Sequence, residues 1–132
     1  MQIQSDSRTY YVRIGGEEPL RRLVQHFYHF MDELPETGTI RRMHAHDLKS
    51  AENKLFMFLS GWMGGPSLYI EKFGHPRLRM RHMPFSIGES ERDQWMLCMR
   101  RALDEVVTDK SLSDELYAAL YGVADFMRNQ AE

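Results

Sequence analysis

Apolar positions recur at three- and four-residue steps over most of this chain. Leu20, Leu23, Val24, Phe27, Tyr28 and Met31 fall on one face of a helix. Gly15-Gly16 precedes that helix, Glu17 and Glu18 favour its positive end, Pro19 fits its first turn, and Leu34-Pro35 stops it. A second stripe, Leu48, Ala51, Leu55, Phe58, Leu59 and Trp62, follows Asp47 as expected N-cap and ends at Gly64-Gly65-Pro66. A third helix is expected from near Ser90, with Asp93 as a capping-box partner and Trp95, Cys98, Met99, Ala102, Leu103 and Val106 on one face. The last is expected to open at Ser113-Asp114-Glu115 and to turn Leu116, Ala119, Leu120, Val123 and Phe126 or Met127 inward. Nothing alternates with period two between hairpin turns. Leu78-Arg79-Met80-Arg81-His82 comes nearest, and after Pro76 it reads as a short helix. The pattern predicts an all-α domain.

Two connections resist a plain bundle. Those between the first and second stripes and between the second and third each exceed ten residues, whereas bundle connections usually run about 2–8. Long ordered connections often carry a site, and these hold His44, His46, His75 and His82.

Composition narrows the class. With 132 residues the chain fits one domain, and 17 Lys+Arg against 19 Asp+Glu give a net charge of −2. A dedicated binder of nucleic acid or of an anionic membrane would carry a basic surplus. Cys98 is the only cysteine, so no intrachain disulfide forms and a reducing compartment is expected. The N-terminus lacks an apolar core of signal-peptide type, and no apolar run approaches the ~18 residues of a membrane span. The expected location is cytoplasmic.

The chemistry-bearing candidates start with His82, which closes an arginine-rich turn ahead of Met83-Pro84-Phe85. A neutral imidazole binds a metal through one nitrogen while a carbonyl or carboxylate orients the other; the alternative is a capping histidine in a basic loop. His44-x-His46 with His75 and Asp47 lacks the flanking spacing of a zinc site. The run from Arg77 to Arg81, with Phe85 as a stacking ring, could touch phosphates, but no RNA-binding signature accompanies it. Cys98 reads as core packing rather than as a reactive thiol. Tyr28 and Trp95 lie on inner helix faces, each with one polar tip that needs a partner when buried. Ten methionines supply an adaptable lining.

Phe27-Tyr28, Met57-Phe58-Leu59 with Gly64-Gly65-Pro66, the stretch from Gly74 to His82 and Glu91-Arg92-Asp93-Gln94-Trp95 together resemble a truncated haemoglobin of group II. The resemblance runs from about Tyr11 to near the C-terminus, and Gly15-Gly16 adds to it. It implies a shortened globin, two antiparallel helix pairs in a 2-on-2 sandwich around one haem b. The whole of 1–132 would then be a single globin domain, with 1–8 a tail and 9–132 the truncated globin. His82 takes the position of the proximal iron ligand. Tyr28 and Trp95 match the distal hydrogen-bond donors, and His44 matches a corner position where the family also carries tyrosine or phenylalanine. Ala51 makes a small apolar gate, Leu55 and Phe58 line the distal pocket, and Phe85 lies by the haem. Lys54, Tyr69, Arg79 and Arg81 are implied contacts to the haem propionates.

The implied function is reversible binding of O2, NO, CO or other diatomic haem ligands. Two or three donors would slow oxygen release, which suits oxygen or nitric oxide scavenging and redox chemistry better than oxygen transport. The alternative is an enzyme, a nitric oxide dioxygenase or a peroxidase-like protein. Without a reductase domain in this chain, such an enzyme would depend on an external electron donor. A haem-free helical interaction module is the third reading, which a Soret band in the purified protein would exclude.

Overall fold

The computed structural model describes residues 7–131 and places, ahead of the helix that carries the first stripe, a separate turn of helix. This is α1, Tyr10–Ile14, capped by Thr9, whose Oγ1 accepts from Val12 N at 3.2 Å. Gly15 and Gly16, at φ 108° and 89°, reverse the chain into α2, Glu17–Glu33. These are left-handed angles that a Cβ disfavours. The Glu17–Arg21 and Glu18–Arg22 pairs of α2 are exposed four-residue steps and contribute little. α1 seats on the turn that ends the second stripe. Tyr11 N donates to Met63 O at 2.9 Å, and a Cβ at Gly65 would run into the Tyr11 ring. The two glycine pairs therefore meet one another through Tyr11.

The second stripe is α4, Lys49–Trp62; its N-cap is Leu48 rather than the expected Asp47, which lies one residue outside and accepts from Lys49 N through Oδ1 at 2.9 Å. The other two long helices begin earlier than the sequence pattern indicates. α7, Glu89–Val106, opens at Gly88, whose N–H donates to the Glu91 carboxylate at 2.7 Å. Asp93, expected as the box partner, pairs instead with Arg92 at 2.9 Å. α8, Lys110–Phe126, is capped by Asp109, which accepts from Leu112 N at 3.2 Å. Ser113 lies inside that helix, buried, and accepts from Arg100 Nη2 at 2.7 Å. At its far end Met127 is buried while Phe126 is 60% exposed, which resolves the expected pair.

The two long connections are not loops. The first holds a 3-10 turn, Pro35–Thr37, and α3, Gly38–Arg42; the second holds α5, Leu68–Phe73, and α6, Leu78–His82, the short helix expected after Pro76. Among the described residues there is no strand.

α2 packs on both α4 and α7, and α8 packs on α7, so α2/α4 and α7/α8 form the two layers. Leu20, Leu23 and Phe27 of α2 meet Leu59 of α4, Met99 and Leu103 of α7, and Leu116 of α8 in a fully buried core. Burying each such side chain is worth about 1.5–3 kcal/mol. Cys98 belongs to this core, as expected. α6 buries no residue at all. Residues 1–6 of the expected tail lie outside the described residues; Ser7 and Arg8 are exposed.

Candidate functional site

The inner face of α2 and the start of α7 bring three of the candidate residues together. The Phe27 ring lies 4.9 Å from Tyr28 and 4.9 Å from Trp95, and the Tyr28 ring lies 5.8 Å from His44. Phe27, not among the expected site residues, is the hub of this cluster. The short α3 delivers His44. Its Nδ1 must donate at 2.8 Å to Ile40 O, because a carbonyl only accepts, and Ile40 N in turn donates to Gln94 Oε1 on α7 at 3.3 Å. α7 thus sets both Trp95 and the corner that carries His44.

Tyr28 is 7% exposed, and neither its hydroxyl nor the Trp95 indole N–H donates to any described residue. Burial, and then the neighbouring Glu52 and Cys98, push the Tyr28 phenol well above its ordinary value, so it stays a protonated donor. A polar recess of about 240 Å³ between α2 and the entry to α4 reaches Tyr28, with Gln25, His29, Asp32, Lys49 and Glu52 on its walls. A larger one, about 460 Å³, is lined by Arg21, Phe56, Met57 and Lys72 and contains none of the candidate residues.

His82 ends α6. Its Nδ1 donates to Leu78 O at 2.6 Å, one helical turn back, and Nε2 has no partner among the described residues. The hydrogen bond fixes the tautomer and leaves Nε2 with its lone pair free. Past it, Met83 is 58% and Phe85 39% exposed. On α4, Ala51, Leu55 and Phe58 are half-buried against the core. Tyr69 is buried with its ring 4.9 Å from that of Phe73, and the exposed Lys54 places Nζ 5.8 Å from the same ring. The two arginines of α6 are partly engaged: Arg79 Nη1 donates to Phe126 O at 3.1 Å and Arg81 Nε to Pro76 O at 2.8 Å. His75 Nδ1 accepts from Arg77 N at 3.1 Å, and His46 is exposed. Among the described residues no three His, Cys, Asp or Glu gather as a metal-binding set, and no helix is long and apolar enough to cross a membrane.

The two-layer helical arrangement of the described residues is of globin type. The bacterial-like globin family model matches residues 9–129, and the chain belongs to that family. A group 2 truncated haemoglobin of Bacillus subtilis is 38% identical over 117 residues, covering 89% of this chain and 86% of that relative. Among solved structures, the group II 2-on-2 haemoglobin of Agrobacterium tumefaciens is similar with a TM-score of 0.90 at 43% identity, over 97% of this chain and 99% of that one. The cold-adapted truncated haemoglobin of the Antarctic bacterium Pseudoalteromonas haloplanktis also reaches 0.90, at 40% identity over 93% and 99%. The fold is the 2-on-2 truncated globin. Membership implies a haem cofactor and small gaseous ligands such as O2.

Proposed function

We propose that this globin holds haem b through His82 Nε2 and binds O2, and also NO or CO, reversibly between Tyr28 and Trp95. The observation that carries the reading is the His82 imidazole, turned by its 2.6 Å bond to Leu78 O so that Nε2 is free for a metal. The surrounding residues fit the group: Leu55 and Phe58 offer half-buried apolar surface, and the exposed Met83 and Phe85 are side chains that a flat apolar cofactor would cover. Bound ferrous haem supplies an open coordination position whose behaviour is set by the polarity around it.

That polarity comes from the chain. Tyr28 and Trp95 carry donors that no described protein group uses, and His44 stands beside Tyr28 as a third polar group. Donors aimed at a ligand with partial negative charge slow its release. Slow release favours capture of oxygen or nitric oxide and redox chemistry over delivery. The enzymatic form of the reading is nitric oxide dioxygenation or peroxidase-like turnover, with electrons from an external donor. Ala51 leaves an apolar opening beside the pocket, and the free nitrogens of Arg79 and Arg81, with Lys54 and Tyr69, supply cationic and hydroxyl partners for the propionates.

The test is His82→Ala. Reconstituted with haem and read by Soret absorbance, it is expected to lose haem or to bind it weakly, while His44→Ala and His46→Ala keep full haem content. Full retention by His82→Ala with an unchanged five-coordinate ferrous spectrum overturns the assignment and moves it to His75.

A further inference from the structure

α6 buries none of its residues, yet it and the chain that follows are fastened from one side by the segment that closes α8. Both ends of the Asn129 carboxamide take part. Its Nδ2 donates to Phe85 O at 2.7 Å and, more weakly, to His82 O at 3.4 Å, and its Oδ1 accepts from Ile87 N at 2.9 Å. The backbone N–H groups of Asn129 and Gln130 both donate to Ile87 O, at 2.8 and 3.1 Å. Before the histidine, Arg79 donates to Phe126 O and lays its guanidinium 5.6 Å from the centre of the Phe126 ring.

The direction of the His82 ring is therefore set twice. Its own side chain is tied back to Leu78 O, and its main-chain carbonyl and the exit at Phe85 and Ile87 are tied to one amide more than forty residues away. Only a carboxamide supplies a donor for two carbonyls and an acceptor for one N–H at the same place. An aspartate keeps the acceptor and loses the donor; a leucine keeps the volume and loses both.

We propose that Asn129 is a positioning residue for His82, holding the loop after it so that the imidazole meets the haem iron at fixed tilt. The proposal rests on the reading of His82 as the axial ligand. Loss of the latch leaves the ligand attached but free to lean, which weakens its bond and speeds haem loss.

The experiment compares holoproteins of wild type, Asn129→Leu, Asn129→Asp, Asp109→Ala and His82→Ala. Two readouts are taken on each: haem transfer to excess apomyoglobin, and the iron–histidine stretching band of the five-coordinate ferrous form. Asn129→Leu is expected to transfer haem about three- to tenfold faster, the range one or two lost hydrogen bonds give, and to shift or broaden the band. Asn129→Asp, which keeps the Ile87 bond, is expected to shift the band in the same sense, and it carries the test if the leucine variant does not fold. Asp109→Ala loosens the other end of α8 and is expected to leave the band in place. A wild-type band in both Asn129 variants overturns the proposal, as does a band shift equally large in Asp109→Ala, which makes the effect one of general stability. An unchanged spectrum in His82→Ala instead overturns the reading of His82 beneath it.

Discussion

Trp95 presents an unpartnered indole N–H and a large apolar face against Phe27, and its two possible roles separate by ligand. A hydrogen bond to a charged acceptor is worth roughly 1.5–3 kcal/mol, or about 10- to 150-fold in an equilibrium. Trp95→Phe in the holoprotein is therefore expected to raise the oxygen dissociation rate by about one to two orders of magnitude, since such differences appear mostly in the off-rate. Carbon monoxide, a poorer acceptor, should leave nearly unchanged. Equal acceleration of both gases in a flow-mixing experiment would mean that the residue acts by volume alone. The placement of Tyr28 and Trp95 on inward helix faces was legible in the sequence because each is an aromatic at helical spacing with one polar tip, a combination that raises the question of a partner. Asn129 was not, because its partners are backbone groups of Phe85, Ile87 and His82, and a main-chain contact imposes no pattern on the residues that provide it.

Helix ends show a second limit of the same kind. The long elements were legible from their stripes, but α8 begins at Lys110 rather than Ser113, because Asp109 takes the Leu112 N–H while Ser113 turns inward to Arg100. Several polar residues in a row each qualify as a cap, and only packing decides among them. The same holds at α7, where a glycine with Glu91 three residues on outcompetes Ser90 with Asp93. α3 and α5 escaped notice for a different reason: five or six residues complete barely one turn or two, and each buries a single side chain, Ile40 or Tyr69, so no periodicity builds up. The cap has a measurable worth. Asp109→Ala is expected to lower stability to urea by about 1 kcal/mol, within the usual 0.5–2 for an N-cap, whereas Ser111→Ala, at an exposed position within the first turn of the same helix, should fall well short of that.

For the molecule as a whole, the core carries two groups that hold their protons. Burial pushes the Cys98 thiol up to about 12 from 9.0, partly offset by the nearby Thr37 hydroxyl, and Tyr28 is raised from 10.0 chiefly by burial as well. The unfolded chain releases these protons first. The native state then binds more protons than the unfolded one, so stability falls as pH rises. The contribution of Cys98 is complete below pH 9.0 and is lost progressively up to about pH 12; that of Tyr28 begins to fall from 10.0. Urea midpoints measured between pH 7 and pH 11 should decline above 9, and Cys98→Ala should flatten the first part of the decline. A midpoint independent of pH over that range, or a decline that Cys98→Ala leaves as steep, would contradict the assignment.

Arg77, which opens α6, sits at φ 47°, the one left-handed angle among the described non-glycine residues. That conformation costs roughly 1–2 kcal/mol, and the helix it begins has no fully buried side chain, only the half-buried Leu78 among its apolar residues, to offset the cost. The free energy needed to open this turn locally is then a small fraction of what unfolding α2 or α7 requires. Amide hydrogens from Leu78 to Met83 should exchange with deuterium early in the haem-free chain, while those of the Leu20–Met31 face wait for global opening. Loading haem should slow exchange at Leu78–Met83 far more than elsewhere. Cofactor capture in this globin would then be, in part, the last step of its folding.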